Sequence, residues 1–227
     1  MDKKKICLIG ANSDLGVELA KMSEQQKVLQ IFGVSRKEPR NKSLYEESLV
    51  ISNYESDKEI ISSFVSKNNV TDVILLNGFI GKNNTPVEKI VQINLSIPLS
   101  LINYIDENTN KNITYTIISS LAVSRPRAKN YVYGLSKYIL EESIRNRDIG
   151  KYIIFRSGFI RTKMTANHKE PPFAKNPEEV AGKLIKTIIN NKKRVSVVYS
   201  SLPILLLFNV FKVVPLSLLN AIEKRLI

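Results

Sequence analysis

Residues 4–25 read KKICLIGANSDLGVELAKMSEQ. The apolar run KKICLIG predicts a buried strand, and VELAKMSEQQ carries the spacing of a helix. Between them stands GANSDLG. Strand, glycine-rich turn and helix in that order form the context that a dinucleotide fingerprint requires. Gly10 permits the tight turn, and Gly16 permits close packing of helix on strand. The helix N-terminus offers N–H groups and a positive dipole end to a pyrophosphate. Gly10, Asn12, Ser13, Asp14, Leu15 and Gly16 are therefore the candidate phosphate loop. Its middle position is Asp14 where the pattern has glycine, so the motif is imperfect, and its context carries the weight.

The next strand, VLQIFGVSR, ends in Ser35-Arg36-Lys37, with no carboxylate before Glu38. An acidic residue there would bind a ribose 2′-hydroxyl, whereas arginine accommodates a 2′-phosphate. Ser35 and Arg36 thus favour NADPH over NADH, against the plainer reading of a basic loop. SLVISNY predicts a short third strand, DKEIISSFVSK a helix, and TDVILLNGFIG an apolar strand ending in Asn77-Gly78. A parallel sheet exposes that carboxyl edge to ligand. VEKIVQINLSIPLSLINYID predicts one long helix with Asn94 in apolar surroundings, where its amide must be hydrogen-bonded. It serves either a kink or a catalytic water, and position alone favours the kink. NITYTIISS, KYIIFRSGFIRTKMT and RVSVVYS predict three more strands, and PEEVAGKLIKTIINN a helix entered through proline. Strands alternating with helices imply an α/β, doubly wound parallel sheet of about seven strands, a single Rossmann domain over residues 1–199. Residues 200–227 form a separate apolar helical tail.

Residues 119–137, SSLAVSRPRAKNYVYGLSK, hold Tyr133 and Lys137 four apart, with Ser120 thirteen residues before the tyrosine. Residues i and i+4 share a helix face, placing Lys137 a turn above Tyr133. A phenol has an ordinary pKa of about 10, so giving up a proton near neutrality needs a neighbouring cation. Ser120, closing the preceding strand, is placed to hold a carbonyl oxygen beside it. In a lysine-rich chain this pair alone is a weak signal; the preceding strand and the glycine-rich turn give it weight.

The chain has 227 residues, enough for one domain with a sizeable core. The lone Cys7 excludes an internal disulfide and suits a buried position in a reducing compartment, and the lone His168 argues against a zinc site. MDKKK leads straight into a strand without a signal-peptide pattern, so a cytoplasmic location is expected. The net charge of +13 fits nucleic acid, an anionic membrane, a phosphorylated substrate or simply a lysine-rich surface. The basic residues are spread, with no nucleic-acid motif, so no nucleic-acid partner is expected.

Taken together, these motifs resemble the short-chain dehydrogenase/reductase family over about residues 4–199. GANSDLG resembles the family's cofactor loop, Asn77 the asparagine closing its fourth strand, and Asn94 its catalytic asparagine. Ser120, Tyr133 and Lys137 stand at its catalytic spacing. Ser157-Gly158-Phe159-Ile160-Arg161-Thr162 resembles its Pro-Gly-x-x-x-Thr nicotinamide loop, which implies cofactor contacts at Gly158, Ile160 and Thr162. Asn53 stands where many members carry an adenine-binding aspartate, and Ser157 where they carry proline. The resemblance implies NADP(H), hydride transfer to a carbonyl with Tyr133 as general acid, and Ser120 bonding the carbonyl oxygen. It implies that Lys137 lowers the tyrosine pKa and binds the nicotinamide ribose, and that Asn94 holds a proton-relay water. Asn77 and Gly78, with Tyr133 and Lys137, join the cofactor set, and a homo-oligomer built on the two long helices is implied.

From residue 202 to residue 219 the tail is apolar except for Asn209, Lys212 and Ser217, with prolines at 203 and 215. A spanning helix needs about 20 apolar residues, and a central lysine costs about 3 kcal/mol. An interfacial or re-entrant helix is the expectation, with Lys212 snorkelling and the flanking Lys192, Lys193, Arg194, Lys224 and Arg225 suiting anionic lipid on the inner face of the membrane. A lid over the substrate or an oligomer interface are the alternatives. The tail, PPFAKNPEEVA and RSGFIRTKMT resemble a branch of the family that reduces a keto group on polyprenyl-phosphate-linked sugars in cell-envelope glycan synthesis. The rivals are the same chemistry on a soluble ketone or nucleotide-linked sugar, and a non-catalytic dinucleotide-binding module.

Overall fold

The computed structural model describes residues 3–25, 29–81, 84–109, 112–127 and 130–226. Seven strands form one sheet: β1 (Lys4–Ile9), β2 (Leu29–Ser35), β3 (Glu47–Val50), β4 (Asp72–Leu75), β5 (Thr114–Ser120), β6 (Lys151–Ser157) and β7 (Val195–Tyr199). Their order is β3-β2-β1-β4-β5-β6-β7, with every neighbouring pair parallel. Burial on both faces is why residues 73–75 of β4 and 152–155 of β6 read as continuous apolar runs and not as alternating ones.

One face is covered by α1 (Asp14–Glu24) and α6 (Pro177–Asn190), through Leu15, Leu19, Val180, Leu184 and Ile188. The other carries α2 (Lys58–Lys67), α4 (Ile97–Asn108) and α5 (Tyr131–Arg145), through Ile61, Phe64, Leu101, Ile105, Leu140 and Ile144. The strand order reverses between β1 and β4, the place where open α/β sheets bind ligands.

Three elements differ from expectation. The third strand stops at Val50, and residues 51–57 turn instead. The Asp57 carboxylate drives that turn by accepting from Ser52 N, Ser52 Oγ and Asn53 N at 2.7, 2.8 and 3.2 Å. The fourth strand ends at Leu75, before Asn77-Gly78. The long helix is two pieces, α3 (Val87–Val91) and α4, joined through a π turn at Gln92–Ser96. Pro98 explains the interruption, because it has no N–H to offer the Asn94 carbonyl one turn back. Asn94 is fully buried; its amide donates to Ile90 O at 2.8 Å and Phe79 O at 2.7 Å, and accepts from Phe79 N at 3.0 Å.

The tail forms α7 (Leu202–Val213) and α8 (Leu216–Leu226), separated by Pro215. Among the described residues, no helix is long and apolar enough to cross a membrane. The inner side of α7 packs on the sheet: Ile204 and Phe208 are each 2 % exposed.

Candidate active site

A cavity of about 830 Å³ opens at the carboxyl edge of the sheet beside the β1/β4 switch. Its floor is the phosphate loop. Gly10 has φ +95°, which an L side chain rarely adopts, and a Cβ on Gly16 would stand 2.8 Å from Ala11 O. The turn is therefore built for close backbone approach. Ser13 caps α1 by accepting from Gly16 N at 3.1 Å. Asn12, Ser13, Asp14 and Leu15 all line the cavity.

Asn12 and Asp14 are clasps. Asn12 Nδ2 donates to Lys37 O and Glu38 O, both at 2.9 Å, and Asn12 Oδ1 accepts from Arg40 N at 3.0 Å. Asp14 accepts from Lys163 N at 2.7 Å and pairs with Arg40 Nη1 at 3.4 Å. The carboxylate at the irregular position of the motif thus ties the phosphate loop to the segment after β6. Ser35 is buried, its hydroxyl donating to Lys37 O at 2.6 Å. Arg36 is exposed, over the Tyr54 ring at 6.0 Å. Arg40, which the sequence reading did not single out, is the cation of this loop that lines the cavity. Asn53 lies outside the cavity; it is exposed, and its Oδ1 accepts from Glu55 N at 2.8 Å.

Ser120, Tyr133 and Lys137 converge on the same cavity, with Asn77 and Gly78 beside them. Gly134 lets α5 approach, since a Cβ there would meet Ala122 O at 3.0 Å. Ser120 Oγ accepts from Ala122 N at 3.1 Å, which leaves its O–H to donate towards the phenol. Contrary to the lowering expected from Lys137, burial raises the Tyr133 pKa, and the Ser120 hydroxyl opposes that rise. Lys137 is 3 % exposed and donates from Nζ to Asn77 O at 3.1 Å. Burial lowers its pKa to about 8, and the Glu141 carboxylate resists the fall. Asn94 lies behind Gly78 and does not line the cavity; its side-chain bonds go to backbone.

Gly158, Ile160 and Thr162 also line the cavity. The loop they begin closes on itself where Ile160 pairs with Lys175, through Arg161 N to Lys175 O and Lys175 N to Phe159 O. Met164, Lys169, Pro171, Pro172 and Phe173 of this loop form one wall, unforeseen as individual residues. From the tail, Ile204, Leu207, Phe211 and Leu219 form another. The tail is thus a wall of the cavity.

A dinucleotide fits this arrangement on two structural grounds: the glycine cradle at Gly10 and Gly16, and the buried Asn77 Oδ1, which has no hydrogen-bond partner among the described residues. Among the described residues, no cluster of His, Cys, Asp and Glu is placed to hold a metal.

No protein-family model and no curated protein sequence matches the chain. Solved structures do. A short-chain dehydrogenase from Burkholderia cenocepacia J2315, in complex with NADP, superposes at TM-score 0.74 with 15 % identity, covering 100 % of this chain and 98 % of that one. A short-chain dehydrogenase/reductase from Saccharomyces cerevisiae gives TM-score 0.74 at 17 % identity, over 88 % and 97 %. One from Shigella flexneri 2a, complexed with NADP, gives TM-score 0.72 at 15 % identity, over 88 % and 98 %. The seven-stranded parallel sheet of this chain, with its cavity at the switch point, has the short-chain dehydrogenase/reductase fold.

Proposed function

We propose that the chain is an NADPH-dependent reductase of a ketone, and that its substrate is a keto-sugar linked to a polyprenyl phosphate. The observation that carries the first part is the convergence of Ser120, Tyr133 and Lys137 on one cavity with Asn12, Ser13, Asp14 and Leu15 of the phosphate loop. NADP in the Burkholderia and Shigella structures supports the cofactor. Gly10, Ser13, Leu15 and Gly16 would take its pyrophosphate, Asn77, Lys137, Gly158, Ile160 and Thr162 its nicotinamide half, and Arg40 with Arg36 the 2′-phosphate. When bound, the cofactor supplies hydride to the carbonyl carbon.

The chain's own groups handle the oxygen. Tyr133 is held protonated by burial, so it stands ready to donate a proton as general acid. Ser120, with its Oγ already accepting from Ala122 N, would turn its O–H from the phenol to the carbonyl oxygen when substrate is bound. Lys137 carries its charge at neutral pH and loses it near pH 8, so reduction falls as pH rises through that value. Pro98 leaves the Asn94 backbone carbonyl without its i+4 donor, which suits a relay water there, while the Asn94 amide serves the kink.

Three features support the lipid-linked substrate. The tail walls are apolar, Arg127 and Lys169 supply cationic lining, and α7 presents a second apolar face outward. That outer face suits peripheral contact with an anionic membrane. The inward packing of Ile204 and Phe208 favours a second reading, a soluble apolar ketone, because packing accounts for part of the tail's apolar character.

Lipids from cells whose only copy is Tyr133→Phe decide between them. We expect a polyprenyl-phosphate sugar lighter than the normal species by two hydrogens, while the purified variant still binds NADPH. An unchanged lipid profile with NADPH binding intact removes the lipid-linked substrate. A purified native chain that binds neither NADPH nor NADH removes the reductase.

A further inference from the structure

Behind the cavity lie two further buried charges that the proposed chemistry does not use. Glu141 is fully buried and Arg156 is 7 % exposed. Buried charges persist only where partners replace water. Glu141 lies one helical turn beyond Lys137 on the same face of α5. Its carboxylate accepts from Arg156 Nε at 3.1 Å to each oxygen, from Arg156 Nη2 at 2.5 Å, and from Ser119 Oγ. Arg156 Nη1 donates to the Tyr199 hydroxyl at 2.7 Å. Ser119, Arg156 and Tyr199 are paired in register across β5, β6 and β7. They form the rung of the sheet immediately before Ser120 and Ser157. On the tail side, the Phe208 ring lies 4.1 Å from the guanidinium and seals the pair from water.

We propose that Glu141 and Arg156 are positioning residues that set the charge state of Lys137, with α7 as the seal that keeps the pair dry. The proposal rests on the reading of Lys137 as the lysine of the reaction. A carboxylate one turn away favours the ammonium, and the guanidinium limits that effect by neutralising the carboxylate. Burial and Glu141 are the two influences that bring the Lys137 pKa to about 8. The ammonium donates to the Asn77 carbonyl after β4, and Tyr133 on α5 and Ser120 on β5 line the same cavity. Across the cavity, Asp14 is committed to Lys163 N and Arg40, and Glu170 to Arg161. Arg127, Lys163 and Lys169 add to its cationic lining.

The test is a nuclear magnetic resonance titration of the full chain carrying ¹³C-labelled lysine, with the Lys137 signal assigned by its loss in Lys137→Arg. In Glu141→Gln the attraction is lost and the buried guanidinium is left unneutralised, so the proton affinity of Lys137 falls about tenfold or more. In Arg156→Gln the repulsion is lost and the carboxylate turns to the lysine, so the affinity rises. The opposite signs separate charge setting from a loss of packing, which would move both alike. If either single variant fails to fold, Glu141→Gln/Arg156→Gln leaves no unpaired charge, and its Lys137 midpoint lies below the native one. A midpoint equal to the native value in any folded variant overturns the proposal. The titration needs no substrate, so it can fail while the reductase stands, and the reductase can fail while the midpoints move as expected.

Discussion

Lys137 is where the proposed chemistry and stability oppose each other. An ammonium at 3 % exposure, bonded to one carbonyl and facing one carboxylate, is poorly replaced for the water it has lost. Its ordinary pKa of 10.5 falls to about 8 in the fold, so between these values the unfolded chain binds more protons. Stability therefore rises with pH across that window, and the cost of the buried charge is fully present below pH 8. Lys137→Met removes the cost. We expect the variant to be more stable than the native chain at pH 7 by up to about 3 kcal/mol, the worth of that shift. The gain should shrink towards pH 10.5 in urea melts taken across the range. A native chain that matches or exceeds the variant at pH 7 would show that Lys137 is fully solvated by its partners. Tyr133, Lys137 and Ser120 were legible because a fixed spacing encodes them. Glu141 and Arg156 were not, because a helix glutamate ordinarily reads as a solvated face. The one available signal was Arg156 inside the apolar run YIIFRSG, where a lone cation implies a buried partner.

At the scale of elements, the strands were legible because burial on both faces gives unbroken apolar runs. The π turn was not. Periodicity predicts one helix through residues 87–106, and only Pro98, missing its donor, and Asn94, able to replace one, mark the break. The tail was legible as apolar but not as a wall, because composition gives no direction to a helix face. Its docking is now specific. A Cβ on Gly158 would stand 2.5 Å from Ile204 Cδ1, and Phe208 packs edge-on to Tyr199 at 5.3 Å as well as on Arg156. Phe208→Ala should therefore cost about 3–5 kcal/mol, as expected for a buried aromatic ring. Removing residues 202–227 should lower both thermal stability and reductase activity, since it strips one wall from the cavity. Full activity in the shortened chain would mean that the substrate never reaches that wall. Differential scanning calorimetry of the point variant and activity of the truncation read the two effects separately.

For the whole molecule, the outer side of α7 is the feature that packing does not explain. Leu202, Leu206, Val210 and Val213 are 66, 58, 48 and 79 % exposed and follow one helical stripe, with Leu216 and Leu218 continuing beyond Pro215. Twelve residues of α7 make about 18 Å of helix, well short of the roughly 30 Å of a bilayer's hydrocarbon core. The geometry suits a helix lying in the interface, and the net charge of +13 suits an anionic surface. The full chain should float with vesicles containing phosphatidylglycerol and stay in solution with phosphatidylcholine alone. Binding should weaken as salt rises, because the attraction between basic groups and headgroups is screened within about 10 Å at 0.1 M. Leu206→Asp, which places a carboxylate on an exposed position away from the cavity, should abolish flotation and leave NADPH binding unchanged. A native chain that never floats, but elutes as a dimer that Leu206→Asp dissociates, would assign the stripe to a second copy of the chain. The substrate would then have to arrive through solution, and the lipid-linked reading would lose the surface that delivers it.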